Sequence, residues 1–443
     1  MIPFEAALIA WIPISFLLMA DRDSARGFTL AYLLAILLLP AGQKIEFSGI
    51  PDLNKENVTG FGVLLGTIVF HPQLFDRYRF SIADLLIGAT MVMFFLTSLT
   101  NGFGAYDGVS QALEFFISFG LPVFLARIHI GTLQSLRTFL LALVIAGVAC
   151  APFALWEWRM SPQLHQYVYG YFQHVFAQHM RGGAYRPILF FSHGLALGRF
   201  FALATFLALM PMRRDLIAYL GKLGNFVFLA PLAGLLLSQS WGPVMLFVLL
   251  CAGYWTIRRR YAFAYVVPVA AFAWAFSVMA GFNPGYSIVN QISAVNADRA
   301  ESLGYRLDAW QEYQSIIANR PLFGHGGWGH GRISGRATDS EVLIYMLQRG
   351  FMGTFTYYAW WFCALHMAIW SFRRTKGTIF GQRGAALAVA ISLCIAITVV
   401  DAALDFHILL AASGIIPIYQ WLQRRPRIES LPKIVPHPIG LQA

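Results

Sequence analysis

Long apolar segments separated by short polar turns follow one another along the whole chain. They lie near residues 4–20, 28–41, 58–70, 82–99, 112–125, 139–155, 194–210, 226–237, 244–256, 261–281, 344–370, 385–400 and 408–422. Most of them are long enough to cross about 30 Å of hydrocarbon as a helix. We therefore predict an all-α fold, a polytopic integral membrane helical bundle of roughly 12–14 transmembrane helices.

Two connections are much longer than the rest and divide the chain. The expected order is an N-terminal transmembrane bundle (1–155), a loop with an interfacial helix (156–193), central transmembrane helices (194–282), a second, larger loop (283–343), and C-terminal transmembrane helices with a basic tail (344–443). Long structured loops that connect transmembrane helices more often have a function than serve only as connections. We therefore expect the functional residues in these two loops.

The composition excludes most soluble proteins of this length. Hydrophobic residues make up 58% of the chain and charged residues 12%, whereas soluble domains carry about 25% charged residues. The formal net charge is +11, but the basic residues form no water-facing module, so we expect no nucleic-acid partner. All four cysteines fall in or beside apolar segments, and we expect neither a disulfide framework nor a metal cluster.

The distribution of the basic residues predicts the orientation of the chain. Twenty of the 32 Lys and Arg residues lie in alternate short turns and in the C-terminal tail. Short loops rich in Lys and Arg stay in the cytoplasm. The N-terminus and both long loops are then expected outside, and the tail inside.

The first long loop contains an amphipathic stretch followed by two arginines. Apolar residues recur at helical spacing from Leu164 to Phe176, which predicts a helix lying in the membrane interface. Arg181 and Arg186 then lead into the next apolar segment. They either snorkel to lipid phosphates or hold an anionic substrate. The histidines of this loop are spaced by nine, five and fourteen residues, which matches no compact metal-ligand pattern: His165, His174, His179 and His193.

The second long loop holds the densest polar content in the protein. A helix is predicted with Leu307, Trp310, Tyr313 and Ile317 on one face and Arg320-Pro321 at its end. A glycine-rich segment follows, in which Gly324 and Gly326 permit tight turns against a ligand or against neighbouring helices. It lacks the Lys-Ser/Thr ending of a phosphate-binding P-loop. The loop closes with Thr338-Asp339-Ser340-Glu341, which fits a helix capping box, so Asp339 has both a capping and a catalytic interpretation.

Three motifs in this part of the chain resemble the bacterial O-antigen ligase and O-antigen polymerase superfamily. Asp339-Ser340 is followed by nine residues and then by Gly350-Phe351-Met352-Gly353, where the ligases have His, then Asn or Ser, nine residues, and Gly-x-x-Gly. YRLDAW and NRPLFGHGGWG are similar to the family's Arg-x-x-x-Trp helix and Pro-Leu-Phe-Gly-x-Gly segment, and RGGAYRP to its Arg-Gly segment before a span. The resemblance covers residues 181–353 directly and the whole chain in topology. The departure is Asp339 in place of histidine.

This resemblance implies a glycosyltransferase that uses undecaprenyl-diphosphate-linked glycan on the periplasmic face of the bacterial inner membrane. It places Arg306 and one of Arg181 or Arg186 at the essential arginine positions, and Asp339 at the position of the catalytic base. We keep Asp308, His193, Gly324 and Gly326 as further candidates. No cofactor or metal is expected. The expected partners are the lipid-linked glycan, the bilayer, and a flippase and chain-length regulator of the same pathway.

The candidate residues suit this chemistry. Loss of a lipid diphosphate develops negative charge, which always-charged arginines bind in bidentate fashion. An aspartate accepts a proton efficiently when apolar surroundings raise its pKa, whereas nearby arginines lower it. The histidine departure favours a polymerase over a ligase that transfers glycan to lipid A-core. A transporter of the same lipids is the third interpretation, but few ionisable residues lie within the apolar segments. Asp401 and Asp405 are explained equally well as end caps, and we leave them outside the predicted site.

Overall fold

The apolar segments fold as helices, because a helix satisfies its own backbone hydrogen bonds where water is absent. The computed structural model describes residues 1–47, 50–181, 183–282, 285–294, 297–334, 338–401 and 405–425. The C-terminal tail from residue 426, which the sequence predicts to be cytoplasmic, lies outside the described residues, as does the side chain of Arg181.

The described chain forms nineteen α-helices and two small hairpins. The helices are α1 (Phe4–Leu18), α2 (Ser24–Leu38), α3 (Lys55–Phe70), α4 (Ile82–Thr100), α5 (Gly104–Phe115), α6 (Leu121–His129), α7 (Leu133–Met160), α8 (Leu164–Tyr169), α9 (Gly194–Leu209), α10 (Arg213–Leu220), α11 (Leu229–Leu237), α12 (Trp241–Arg259), α13 (Phe263–Met279), α14 (Gly285–Ser293), α15 (Ala297–Glu312), α16 (Gln314–Asn319), α17 (Glu341–Arg374), α18 (Ile379–Ile397) and α19 (Phe406–Gln423). The antiparallel hairpins pair β1 (Ile45–Phe47) with β2 (Ile50–Leu53), and β3 (Met180–Arg181) with β4 (Ala184–Tyr185).

The predicted polytopic helical architecture is confirmed. Five helices of the described chain are long and apolar enough to cross a membrane, or six if the bent pair formed by residues 194–209 and 213–225 is one span. One of the five is α5 and α6 together, which a π-helical turn at 116–120 joins into a 26-residue span. Other predicted spans form shorter apolar helices; α11, with nine residues, is only about 14 Å long. The number of about 13 crossings stays a prediction.

Helix α18 lies at the centre of the helical core. It packs against α12, α13, α17 and α19, and nearly all of its residues are buried. Its first half is rich in Gly and Ala, small residues that let neighbouring helices approach closely within a membrane. The core of the protein therefore forms around the helix whose C-terminal end enters the site described below.

The glycine-rich segment of the second loop docks on a kink in α17. Gly350 interrupts that helix with φ 65° and ψ −171°. Backbone amides of Phe351 and Met352 donate to carbonyls of Pro321 and Leu322 at 2.7 and 3.1 Å. In the other direction, amides of residues 325 and 326 donate to carbonyls of residues 347 and 348 at 2.9 and 3.0 Å. The loop is thereby fixed to the helix that follows it.

The first long loop is less helical than its sequence pattern predicts. Helix α8 ends at Tyr169, because Gly170 adopts a left-handed conformation with φ 82°. Glu157, at the end of α7 and almost fully buried, holds the loop by accepting three backbone hydrogen bonds. The donors are the amides of Leu164, Ile188 and Leu189, at 3.2, 2.8 and 2.8 Å.

Candidate functional site

Two of the predicted site residues, Arg306 and Asp339, form an ion pair. Nη2 of Arg306 lies 3.4 Å from Oδ2 of Asp339, with the two side chains 25% and 38% exposed. Arg306 belongs to α15, and Asp339 lies two residues before α17. The resemblance predicted roles for both residues, and the fold brings them into contact although 33 positions separate them. Their partial exposure leaves the pair accessible from solvent.

The end of α18 positions both sides of this pair through main-chain carbonyls. On α15, Arg306 Nε donates to Val400 O at 3.1 Å, and Trp310 Nε1 donates to Val399 O at 3.3 Å. Residues four apart on a helix share a face, which explains the Arg-x-x-x-Trp spacing. From the start of α17, the Ser340 hydroxyl donates to Thr398 O at 3.2 Å. The turn after α18 therefore fixes where the pair stands.

Asp339 is not the cap of α17. The N-cap is Ser340, whose hydroxyl accepts a hydrogen bond from the amide of Leu343 at 3.1 Å. The helix therefore begins two positions later than the Thr338 to Glu341 capping box suggested by the sequence, and that prediction is wrong, because Leu343 now stands where the box needs Glu or Gln. Glu341 instead accepts a hydrogen bond from the hydroxyl of Tyr357 at 3.0 Å. The carboxylate of Asp339 is left to contact Arg306.

A second arginine reaches the same region and was absent from the predicted site. Arg199, on the second turn of α9, contacts Asp405 with Nε at 2.9 Å and Asp401 with Nη1 at 2.5 Å. Its side chain is 5% exposed. Burial raises the pKa of Asp401, while Arg199 and Arg306 lower it. The sequence signal was an arginine inside an apolar segment, which is costly unless it has partners.

We call Arg199, Arg306, Asp339, Asp401 and Asp405 the ionic cluster. Its positive groups are guanidiniums and its negative groups are carboxylates, and each arginine already contacts at least one carboxylate. A diphosphate that bound here would contact two guanidinium groups, one for each phosphate. It would also have to displace carboxylates that now contact them.

A cavity of about 390 Å³ borders the ionic cluster. Its polar lining residues are Gln43, Lys44, Asn54, Lys55, Glu56, Ser192, Arg199, Asp405 and His407. The cavity therefore shares Arg199 and Asp405 with the cluster. Lys44 forms ion pairs with Asp52 at 2.6 Å and with Glu46 at 3.0 Å. These bonds raise the pKa of Lys44, so its ammonium group stays protonated at neutral pH while the two carboxylates balance its charge.

Asp308 lies two residues beyond Arg306 and is engaged elsewhere. It accepts a hydrogen bond from the hydroxyl of Tyr286, on α14. That bond is the main cause that raises the pKa of Tyr286 to about 12. In this structure Asp308 therefore ties α14 to α15.

The residues predicted from the first loop lie around the start of α9. Arg186 is fully buried, and its guanidinium lies so close to Gly194 that a Cβ atom there would be 2.5 Å from Nε. His193 is the N-cap of α9, and its Nδ1 accepts from the amide of Leu195 at 3.0 Å. The backbone of Arg181 forms part of β3. Burial makes Arg186 part of the loop's packing in this conformation.

Three of the four loop histidines come together in space. The ring centroids of His174, His179 and His193 are separated by 4.6, 5.4 and 6.1 Å. Within the part of the chain that the structure describes, no group of three His, Cys, Asp or Glu residues is arranged to hold a metal ion. These histidines therefore lie together beside the start of α9, where His193 is the N-cap.

Gly324 and Gly326 serve close packing of the backbone. A Cβ atom on Gly324 would lie 2.5 Å from the backbone of α17, and one on Gly326 would lie 2.4 Å from the ring of Phe103. Both residues have positive φ, 66° and 101°. Of the two roles that the sequence left open, contact with neighbouring helices is the one that these distances support.

Comparison with known proteins adds one match. The family model described as O-Antigen ligase matches residues 226–365, which include α15, the glycine-rich segment and the first half of α17. No curated protein sequence matches the chain. The match confirms the resemblance drawn from the motifs: residues 226–365 of this polytopic helical membrane protein are similar to the O-antigen ligase family.

Proposed function

We propose that the protein polymerises undecaprenyl-diphosphate-linked oligosaccharide repeat units into exopolysaccharide or O-antigen on the periplasmic face of the inner membrane. The observation that carries this proposal is the contact between Arg306 and Asp339, next to a second arginine and a cavity. It supplies a proton acceptor and two guanidiniums within one cluster. The proposed partners are the lipid-linked glycan and a flippase and chain-length regulator of the same pathway.

The proposed reaction is one displacement at an anomeric carbon. A hydroxyl oxygen of the acceptor glycan forms a bond to the anomeric carbon of the donor, and the bond between that carbon and the diphosphate oxygen breaks. The hydroxyl proton passes to the carboxylate of Asp339, and the lipid diphosphate leaves with the bonding electron pair. The energy is already stored in the donor, so the step needs no nucleotide.

In this proposal, Arg306 and Arg199 stabilise the leaving diphosphate. Guanidinium groups bind phosphate oxygens in bidentate geometry and stay charged at every physiological pH. Contacts aimed at developing charge contribute about 3 kcal/mol each to lowering the barrier. The carbonyl of Val400, in the turn after α18, accepts from Arg306 Nε and keeps the remaining guanidinium edge directed towards Asp339.

Donor binding must also rearrange the ionic cluster. Arg199 and Arg306 contact carboxylates in this structure, and a diphosphate replaces those contacts one for one. Burial raises the pKa of Asp401, which favours its protonation when it gives up Arg199. Release of Arg199 by Asp401 is therefore the step that we assign to donor entry.

A ligase that transfers finished glycan to lipid A-core or another acceptor is the second candidate. The family description, O-Antigen ligase, favours it, whereas Asp339 at the histidine position favours the polymerase. Both functions use the same donor and the same leaving group. They differ only in the acceptor, so the products distinguish them.

The test supplies purified full-length protein with an undecaprenyl-diphosphate-linked repeat unit, without nucleotide. A ladder of products that Asp339→Asn abolishes supports the polymerase. One-step transfer to an added lipid A-core, with no ladder, supports the ligase. If neither product forms while vesicles take up the donor, the transferase proposal is wrong and a transporter replaces it.

A further inference from the structure

A second cavity, at the opposite end of α18 from the ionic cluster, lies between the end of α12 and the turn that joins α17 to α18. Its volume is about 330 Å³, within the range of small-ligand sites, which is about 300–1,000 Å³. Its lining includes three cationic residues, Arg258, Arg259 and Lys376, together with Trp255 and Phe372. It thus combines a cationic wall with apolar rings.

The positive charge of this cavity is not compensated locally. Residues 216–297 and 342–400 contain no Asp or Glu, so neither wall can supply a carboxylate from its own segment. Among the described residues, the three cations have no carboxylate within ion-pair distance, whereas nearby Arg383 contacts Asp215 at 2.7 Å. A negatively charged ligand would neutralise charge that the described protein leaves exposed.

The cavity is also next to lipid. Only 28% of the most apolar stretch of α12 is buried inside the protein, so most of this helix must face lipid. The side chain of Trp255 is 54% exposed, and tryptophan is typical of membrane–water interfaces. The short basic turn after α12 belongs to the side that the positive-inside rule assigns to the cytoplasm. Basic pockets between helices on that side bind acidic lipid headgroups.

We infer that this cavity binds the phosphate headgroup of an anionic phospholipid from the cytoplasmic leaflet. Arg259 and Lys376 contact the phosphate from the α12 side and from the α17–α18 turn, and Trp255 packs against the acyl-chain region. The bound lipid thereby bridges α12 and the central helix α18. This inference does not depend on the proposed function, since it concerns the opposite end of the helices.

The test measures lipid binding to the purified full-length chain by native mass spectrometry. The probes are phosphatidylglycerol, phosphatidylcholine and inorganic phosphate. We expect saturable phosphatidylglycerol binding that phosphatidylcholine does not match. Each surface cation contributes roughly fivefold to acidic-lipid affinity, so Arg259→Gln with Lys376→Gln should weaken it about 30-fold. The exposed Lys222→Gln is the control for each single variant, because it removes one positive charge from a turn outside the cavity.

Three results would overturn the inference. The first is equal binding of phosphatidylglycerol and phosphatidylcholine, and the second is an equal loss in the Lys222→Gln control. The third is binding of inorganic phosphate without binding of phosphatidylglycerol, which would make the site a soluble-anion site. Because Arg259 and Lys376 are both exposed, the double variant should fold, and its elution profile and each single variant check this.

Discussion

Replacement of Arg306 by alanine separates a catalytic role from a structural one. The ion pair with Asp339 joins side chains that are 25% and 38% exposed, and exposed pairs contribute about 0–1 kcal/mol to stability. The hydrogen bond to Val400 O adds about 1 kcal/mol. Loss of a contact to developing charge instead raises the barrier by about 3 kcal/mol. Turnover should therefore fall about 10²-fold, while the protein still accumulates.

The lysine variant sharpens this prediction. Arg306→Lys keeps the charge. A single ammonium group, however, lacks the planar edge of a guanidinium, so it cannot donate to Val400 O and bind the diphosphate in the same geometry. We expect its turnover number to lie between those of the parent and the alanine variant. The assay follows product formation from a lipid-diphosphate-linked repeat unit at saturating donor, with a melting curve in detergent for each variant.

The matched control is Arg320→Ala in the same loop. Arg320 is exposed and donates to Asn101 and to Thr100 O, so its replacement removes the same charge away from the ionic cluster. The reasoning is refuted if Arg306→Ala and Arg320→Ala turn over at rates within about threefold of each other. It is also refuted if Arg306→Ala loses activity only in proportion to folded protein.

Three further predictions concern other parts of the fold. Arg199→Gln strands Asp401 and Asp405, and breaking a buried ion pair costs about 3–5 kcal/mol; folded yield should fall and should recover when both aspartates become Asn. Gly350→Ala strains a positive φ and places a Cβ 2.4 Å from a loop carbonyl, so the melting temperature should drop; an unchanged value would contradict the docking role. Burial lowers the pKa of His165. Below about pH 6.5, the pKa of an unperturbed histidine, the folded loop therefore binds fewer protons than the unfolded loop. The stability of the folded loop is thus complete above that pH and is lost as the pH falls. Hydrogen-exchange protection factors in the first loop, which are corrected for the intrinsic exchange rate at each pH, should fall from pH 7 to 5 in the parent but not in His165→Gln.

Local pattern was sufficient to predict the buried face of the helical segment in the second loop, but not the break at Tyr313 that divides it into α15 and α16. Leu307, Trp310, Tyr313 and Ile317 are all buried, and α16 ends just before Arg320. Each prediction depended on residues within one or two turns of each other. The spacing of residue types on a single helix determines which side chains share a face, and that information is fully present in the sequence.

The pairing of Arg199 with Asp401 and Asp405 was not predictable from such patterns. More than 200 positions separate the arginine from either aspartate, and a charged residue at the end of an apolar segment is explained equally well as a cap. The ionic contact exists only because α9 and the α18–α19 turn meet in space. Asp401 and Asp405 were therefore omitted from the predicted site, although both contact Arg199, the arginine that lines the cavity.

The sequence predicted that the glycines allow a close approach of the backbone, but it did not predict which part of the protein approaches them. A glycine-rich segment indicates close backbone approach, and the sequence left open whether a ligand or a helix approaches. Gly324 and Gly350 lie so close that each lacks room for a side chain against the other's segment. The two family motifs that contain them are thus halves of one contact, which a comparison of separate motifs does not reveal.

The charge balance of the ionic cluster bears on which donor the proposed enzyme accepts. Two guanidiniums face three carboxylates, and the more buried one, Arg199, contacts two of them. An entering anion must replace these contacts, because a buried guanidinium left unpaired is costly. A monophosphate supplies too little charge to replace carboxylates at both arginines at once. A diphosphate has two phosphate groups, one for each guanidinium, so under the proposed function the resting ion pairs themselves select a diphosphate-linked donor.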